Sequence, residues 1–391
     1  MIEGGKEMDQ GVILYIGGFE LPDKNAAAHR VLSNAKILRK IGKKVVFIGV
    51  DKSLSWDSDI LSTKNTVQGF EIYAIPYPQK KEQWIKYLTE IREYIKVIKK
   101  FENIEMIILY NFQAIAMKKF LSYCKKKDIK CCADITEWRS ARRERLVYRI
   151  LKDSDTWYRM KVLHKKLDGL IVISKYLEAY YSSSKNIVYV PTMTDASESK
   201  WKGKYEKSNS VLKLVYAGNP GRKDRVDMLI EALKDVNRKY QLDIIGITLE
   251  QYLEYYPNHS EMVKKNSNIV FHGRIQHIET LEYIKKANYS CFFREDDRVS
   301  KSGFPTKFAE AITCGTPVLT NKTSNLSDYI KNDENGIFIE PLDVSNIASV
   351  IDSVPYELKV NNDIFDIRKY EKSFSAFFRR CGVGINENCT N

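Results

Sequence analysis

Histidine is scarce in this chain. It holds five in 391 residues, none in the paired spacing that would set two ring nitrogens on one metal. The seven cysteines show no ligand spacing either. Cys131 and Cys132 are neighbours in a strand-like run, and reduced, buried thiols are the expectation. No apolar stretch of about eighteen residues occurs, so no transmembrane helix is expected. The start, Met-Ile-Glu-Gly-Gly-Lys-Glu, is polar, so no signal peptide is expected. The spacing Gly-x-Gly-x-x-Gly is missing after the first apolar run, which argues against an NAD site. The acidic pair Asp296-Asp297, inside Glu-Asp-Asp-Arg298, lacks the Asp-x-Asp spacing that holds a divalent ion. It reads as an exposed loop, or as a stretch whose Arg294 is on the phosphate side, and no metal site is expected. Internal repeats and low-complexity segments are lacking too.

What is present is ample apolar material and an excess of cations. Hydrophobic residues make up 43% of the chain, enough for two cores, and the length suggests two domains. The net charge is +13. Between Lys118 and Lys166 stand sixteen Lys or Arg against six Asp or Glu. Trp138, Leu146, Tyr148, Trp157, Tyr158 and Leu163 are interleaved with those cations. Basic residues mixed with aromatics suit an anionic membrane surface. Nucleic acid would also be attracted, although none is expected as a partner, and a solvated basic face stays open as a third reading.

Strand and helix patterns alternate. Val12–Ile16 is a continuous apolar run, as in a buried parallel strand, and Gly17-Gly18 breaks it. Asn25 can cap a helix over about 26–41, which Gly42 ends before the next strand, 44–50. Further strands are expected at 71–75, 106–110, 130–135 and 169–174, with helices at 81–101, 113–127, 140–167 and 175–181. The charged run 197–210 reads as a linker. A second strand–helix series follows, with strands at 213–217, 242–245, 269–272, 289–293 and 317–320 and a first helix at 226–239. The expected fold is α/β, two doubly wound domains over residues 1–196 and 211–364. A basic, aromatic helix at 365–380, in the segment 365–391, is expected to pack back on the first domain. Ligands of such sheets bind at the strands' carboxyl ends, so a cleft between the domains is the expected site.

Residues 302–318, Ser-Gly-Phe-Pro-Thr-Lys-Phe-Ala-Glu-Ala-Ile-Thr-Cys-Gly-Thr-Pro-Val, say most about function. A loop feeds a helix that Pro305 can open and Gly315 can close. A helix N-terminus presents unbonded N–H groups and a positive dipole end, which suits a phosphate. Lys307 adds a mobile cation there, and Glu310, one turn in, can accept from hydroxyls.

This run resembles the donor-site signature of the retaining glycosyltransferases of family four, which have the GT-B fold. Gly303, Phe304, Glu310, Ala311, Gly315, Pro317 and Val318 match it, while Ser302 stands where the pattern has Glu. Asp168–Leu177 is similar to the family's last strand and helix of the N-terminal domain, and Val188–Pro191 with Asp195 to the approach to its linker. Tyr216-Ala-Gly218-Asn219-Pro-Gly-Arg222-Lys223-Asp224 resembles the first strand and loop of the donor domain. There an Arg and a Lys grip the diphosphate; Asn219 takes the Arg position, and Arg222 and Lys223 supply cations nearby. Asn268–Gly273 resembles the strand whose following loop, here Arg274 and Ile275, holds the base through backbone groups. Asp134-Ile-Thr136-Glu137-Trp138 resembles an Asp-x-His-Glu stretch beside the transferred sugar, with Thr136 in the His position.

The resemblance implies a retaining hexosyl- or glycosyltransferase that needs no cofactor beyond its donor, a UDP- or GDP-linked sugar. Gly218, Asn219, Arg274, Ile275, Arg294, Ser302, Gly303, Phe304, Pro305 and Thr306 would bind that donor. Arg222, Lys223 and Lys307 would stabilise the leaving diphosphate, and Glu310 would hold the ribose. A saccharide or polyprenyl-linked acceptor would lie near Gly17, Gly18, Asp134, Thr136 and Glu137. The expected setting is the cytoplasmic face of the plasma membrane, in surface-polysaccharide assembly. A catalytically silent nucleotide-sugar binder and a sugar-nucleotide epimerase of the same fold remain as alternatives.

Overall fold

The computed structural model describes residues 11–22, 24–139, 146–203, 205–220 and 223–385. They form two compact units that divide between Pro191 and Thr192 and between Asp366 and Ile367. The second unit is thus one continuous stretch, and the chain after it rejoins the first.

The first unit runs β1 (Val12–Gly17), α1 (Ala26–Lys40), β2 (Lys44–Asp51), β3 (Asn65–Val67), β4 (Phe70–Pro76), α2 (Lys81–Thr89), α3 (Arg92–Ile98), β5 (Ile104–Tyr110), α4 (Ala114–Lys127), β6 (Lys130–Ile135), α5 (Leu146–Tyr158), β7 (Gly169–Val172), α6 (Lys175–Tyr180) and β8 (Ile187–Tyr189). Its eight-stranded sheet has the order β3-β4-β2-β1-β5-β6-β7-β8. Only the β3–β4 pairing is antiparallel. The apolar run 12–16 is buried throughout, because β1 lies between β2 and β5. Each such Ile, Leu or Val contributes roughly 1.5–3 kcal/mol by burial. Asn25 caps α1, its Oδ1 accepting from the Ala28 N–H at 2.8 Å.

The second unit runs β9 (Leu212–Ala217), α7 (Val226–Ala232), β10 (Tyr240–Ile245), α8 (Leu249–Tyr255), α9 (Ser260–Lys265), β11 (Ile269–Gly273), α10 (His277–Lys286), β12 (Tyr289–Phe292), α11 (Arg298–Ser302), α12 (Thr306–Thr313), β13 (Val318–Thr320), β14 (Gly336–Phe338) and α13 (Val344–Ser353). Six parallel strands are ordered β11-β10-β9-β12-β13-β14. Strand order reverses at β1 in one sheet and at β9 in the other, where a doubly wound sheet opens its binding crevice. The chain returns to the first unit with α14 (Glu371–Arg380), which packs on β8 and α1 through Phe374, Phe377 and Phe378, all fully buried.

Several expectations differ from the structure. The helix expected over 81–101 breaks at Glu90, which is extended (φ −104°, ψ 149°). Its halves bury different aromatic clusters: Trp84 and Tyr87 meet Tyr77, whereas Tyr94 meets Phe112 and Phe120. The helix expected over 140–167 is α only at Leu146–Tyr158, followed by a π turn at Arg159–Leu163; 140–145 lie outside the described residues. The run 197–210 is no loose linker. Trp201 is buried against the second unit, and the Lys207 ammonium donates to the carbonyls of Lys285 (2.7 Å) and Ala287 (2.5 Å). Phe365 stays with the second unit, in a ring cluster with Phe304, Phe308 and Tyr329.

Candidate functional site

The second unit gathers charge at the carboxyl end of β9. Past Ala217 the chain turns at Gly218 (φ +132°), in a loop packed against Gly246. A Cβ on Gly246 would lie 2.5 Å from the Gly218 carbonyl oxygen, so only glycine fits there. The loop then bridges to the end of β12 through Asp224 and Arg294, and the Arg225 N–H donates to the Phe293 carbonyl at 2.8 Å.

Asp224, to which the sequence reading gave no role, is the hub. It is buried, and Arg294 Nε donates to its Oδ1 at 2.8 Å. Lys307 Nζ and the Tyr216 hydroxyl both donate to its Oδ2, the latter at 2.8 Å. Burial alone would raise the Asp224 carboxyl, but Lys307 and Arg294 outweigh it and hold it well below the usual carboxylate range. Lys307 is therefore not a mobile cation. It is buried, bonded also to the Tyr216 hydroxyl at 2.9 Å, and burial lowers its ammonium despite Asp224. Two cations against one carboxylate leave this trio a net charge of one. That charge lies beside Gly218: a Cβ built there would be 3.3 Å from Lys307 Nζ. Lys307 is also the second residue of α12, so the first-turn N–H groups and the positive helix end lie at the same place.

Glu310, one turn further, accepts from His277 Nε2 at 3.1 Å, and the Trp201 ring meets the His277 ring edge-on at 6.2 Å. His277 carried no signal in the sequence; it lies 33 positions from Glu310. Arg274 is exposed and Ile275 half-buried between β11 and α10. Asn219 and Lys223 are exposed on the Gly218 loop, and Arg222 lies outside the described residues.

Other donor-side expectations meet a different environment. Phe304 is core, its ring edge-on to Tyr329 and Phe365 and tilted against Phe308. Ser302 is fully buried and its hydroxyl donates to the Val299 carbonyl at 3.1 Å, closing α11. Gly303 has an ordinary extended backbone (φ −90°), and its carbonyl accepts from Ser324 Oγ at 2.5 Å. Pro305 is the cap residue before α12 rather than its first turn, and Thr306 opens the helix half-buried. Arg294, expected on the phosphate side, is buried on Asp224, whereas Asp296 and Asp297 are exposed.

In the first unit the carboxyl ends of β1, β5 and β6 form a second polar cluster. Gly17 is required by contact, not by φ: a Cβ would lie 2.7 Å from the Tyr110 carbonyl oxygen. Gly18 is exposed, near the Tyr87 hydroxyl. Asn111 Nδ2 donates to Thr136 Oγ1 at 2.6 Å and Asn111 Oδ1 accepts from the Thr136 N–H at 3.0 Å. Glu137 accepts from Arg139 Nε at 2.7 Å. Asp134, expected beside the acceptor, is instead fully buried. It accepts from Arg30 Nη2 (2.7 Å), the Tyr15 hydroxyl (2.5 Å) and Asn34 Nδ2 (3.2 Å). Arg30 Nη1 in turn donates to the carbonyls of Val190 and Pro191 at 3.0 and 3.2 Å. Asp134 and Arg30 thus form a brace joining β1, α1, β6 and the chain at Val190–Pro191.

No group of three or more metal-ligating side chains occurs among the described residues. Two Asp-x-Asp pairs do occur in the sequence, Asp57/Asp59 and Asp153/Asp155, and Asp155 Oδ1 is engaged by the Ala114 N–H at 2.7 Å.

Residues 197–359 match the family described as Glycosyl transferases group 1. No curated protein sequence matches the chain. Among solved structures it is similar to sucrose-phosphate synthase from Thermosynechococcus elongatus, with a TM-score of 0.72 and 15% identity over 95% of this chain and 99% of that one. HepE from Anabaena, in complex with UDP and glucose, gives a TM-score of 0.63 and 10% identity over 95% of this chain and 100% of that one. A glycosyltransferase from Rickettsia africae gives 0.64 and 14% over 95% and 99%. The chain therefore has the GT-B fold, and it resembles the glycosyl transferases group 1, whose family it matches over residues 197–359.

Proposed function

We propose that this protein is a glycosyltransferase that takes its sugar from a nucleoside-diphosphate sugar held by the second unit. The observation that carries this reading is the net positive trio Asp224–Arg294–Lys307 beside Gly218, at the positive end of α12. A diphosphate leaving group gains charge as the glycosidic bond breaks. Fixed cations and helix N–H groups that need no reorganisation stabilise that charge most. Lys223, exposed on the same loop, would add a further cation. Glu310, held by His277, would accept from the ribose hydroxyls, and the backbone at Arg274 and Ile275 would meet the base. HepE's complex with UDP and glucose supports a UDP-linked donor. Transfer with retention to a saccharide or polyprenyl-linked acceptor, in glycan assembly, completes the reading. Gly18, Thr136 and Glu137 would be the acceptor contacts.

Thermal shift against a panel of UDP- and GDP-sugars is the first test, since a ligand that binds only the folded state raises its apparent stability. Stabilisation by one base, with sugar release or transfer, supports the proposal. Stabilisation without turnover would leave a silent binder, and no stabilisation by any donor would overturn it. Glu310→Ala is expected to weaken nucleoside-diphosphate binding. Charge-assisted bonds contribute roughly 1.5–3 kcal/mol each, so the dissociation constant should rise at least about tenfold by calorimetry. Activity is expected to survive EDTA, because side-chain cations already face the diphosphate; loss restored by Mg²⁺ or Mn²⁺ would refute that.

A further inference from the structure

Arg159 is a buried charge with no acid in hydrogen-bond reach. It is 1% exposed. Its Nη1 donates to the carbonyls of Asn111 and Phe112, both at 3.3 Å. Its Nε and Nη2, also buried, have no hydrogen-bond partner in the protein. Asp155 Oδ2 lies 3.8 Å from Nε, too far for a hydrogen bond, while Asp155 Oδ1 accepts from the Ala114 N–H. Burial lowers the Arg159 guanidinium, Asp155 offsets only part of that, and nearby Arg139 adds to the lowering. Buried guanidinium groups are paired as a rule, because a charge away from water is costly when nothing answers it. Arg30 follows the rule in the same unit. Its Nε and Nη2 lie on Asp134 Oδ1 at 2.9 and 2.7 Å, and its Nη1 donates to the Val190 carbonyl at 3.0 Å.

Two further features mark the position. The chain after α5 widens into the π turn Arg159–Leu163, which Arg159 opens. Such turns are rare and recur at functional sites. Arg159 also joins the polar cluster at the carboxyl ends of β5 and β6. Asn111, whose carbonyl it holds, bonds Thr136 through both side-chain atoms, at 2.6 and 3.0 Å. Gln113, next along that loop after Phe112, bonds the Tyr87 hydroxyl, and its buried Oε1 has no partner. A Cβ on Gly18 would lie 3.2 Å from that same hydroxyl.

The unpaired edge indicates the ligand. The N–H groups of Nε and Nη2 lie in one plane and point the same way, the pair of donors that takes two oxygens of a phosphate or a carboxylate. A neutral hydroxyl would meet one donor and leave the charge unanswered. We propose that Arg159 reads an anionic group on the acceptor, a phosphate ester or a carboxylate, through its Nε and Nη2 edge. Given the transferase reading, on which this rests, the acceptor is a charged saccharide rather than a neutral one. The same unpaired charge that weakens the free protein then favours acceptor binding.

The test is the melting temperature of the full-length parent, Arg159→Met and Arg159→Lys with glucose 6-phosphate, glucuronate, inorganic phosphate or glucose at about 10 mM, against chloride of equal ionic strength. The parent should be stabilised by the anions and not by glucose. Arg159→Met removes the charge at similar volume, so it should melt no lower than the parent and lose the response, its anion dissociation constant rising about tenfold or more. Arg159→Lys keeps the charge without the paired donors and should fall between them. A larger response to glucose 6-phosphate assigns a phosphate ester, and a larger response to glucuronate a carboxylate. Equal anion stabilisation of the parent and Arg159→Met would put the anion elsewhere, such as on the Asp224–Arg294–Lys307 trio, and overturns the proposal. So does a parent that responds to no anion, or an Arg159→Met protein that melts lower and keeps its anion response, since Arg159 would then be structural. UDP binding is read separately on the same three proteins. Its absence from all of them, the parent included, counts against the donor reading and not against Arg159.

Discussion

Replacing Asp224 by Asn is expected to cost the second unit about 3–5 kcal/mol, because it strands two buried cations on no anion. Denaturant unfolding followed by a probe in that unit measures it. The pH dependence carries a sign. Burial has already lowered the Lys307 ammonium, and removal of Asp224 should lower it further. A lysine depressed in the folded state makes the unfolded chain the better proton binder, so the variant should gain stability as pH rises towards an ordinary lysine value of about 10.4. Parent Asp224 gives the same sign in a lower window: its carboxyl is held low, so its contribution is present above about pH 3.9 and is lost as pH falls towards the folded value. The variant should also be stabilised more by a nucleoside diphosphate than the parent is, because the ligand replaces the missing anion. Equal ligand-induced shifts would detach the trio from the diphosphate, and a cost under about 1 kcal/mol would mean the cations are hydrated, contrary to their burial.

The second large effect concerns Arg30 and Asp134. Either Asp134→Leu or Arg30→Met alone is expected to destabilise the first unit by about 3–5 kcal/mol, since each leaves a buried charge without its partner. The double variant should recover much of that loss, because two apolar side chains of similar volume need no pairing. The coupling energy from the four unfolding curves should exceed about 1 kcal/mol. Nucleotide binding by the second unit should be unchanged throughout. A double variant that loses the sum of the single losses would contradict a buried ion pair and restore Asp134 as a candidate for substrate contact.

The parallel cores were readable because their signal is local. Val12–Ile16 is apolar without interruption, and a parallel strand buried on both faces must be. Asn25 and Gly42 marked both ends of α1 for reasons that lie within one turn of chain. Gly315, at φ +74°, likewise ends α12. What lay hidden depends on partners distant in sequence. Asp224 sat in a quoted motif, but nothing there shows that Lys307, 83 positions on, turns back to meet it. Asp134 looked like a cleft residue because its partner Arg30 is 104 positions away on α1. Phe304 matched a donor-site pattern and proved to be core, since an aromatic in a motif does not say which way it faces.

The route of the chain has one more consequence, for synthesis. Residues 192–366 form one contiguous unit whose two ends meet, the Thr194 N–H donating to the Phe365 carbonyl at 2.8 Å. The first unit is discontinuous: α14, the last helix described, covers β8 and buries Phe374, Phe377 and Phe378 there. As the chain leaves the ribosome, the second unit can close as soon as Phe365 is clear. The first must wait with an uncovered apolar edge while some 175 residues are made, roughly ten to thirty seconds at ordinary elongation rates. The half made first is therefore the half finished last, and its apolar edge stays uncovered during that interval.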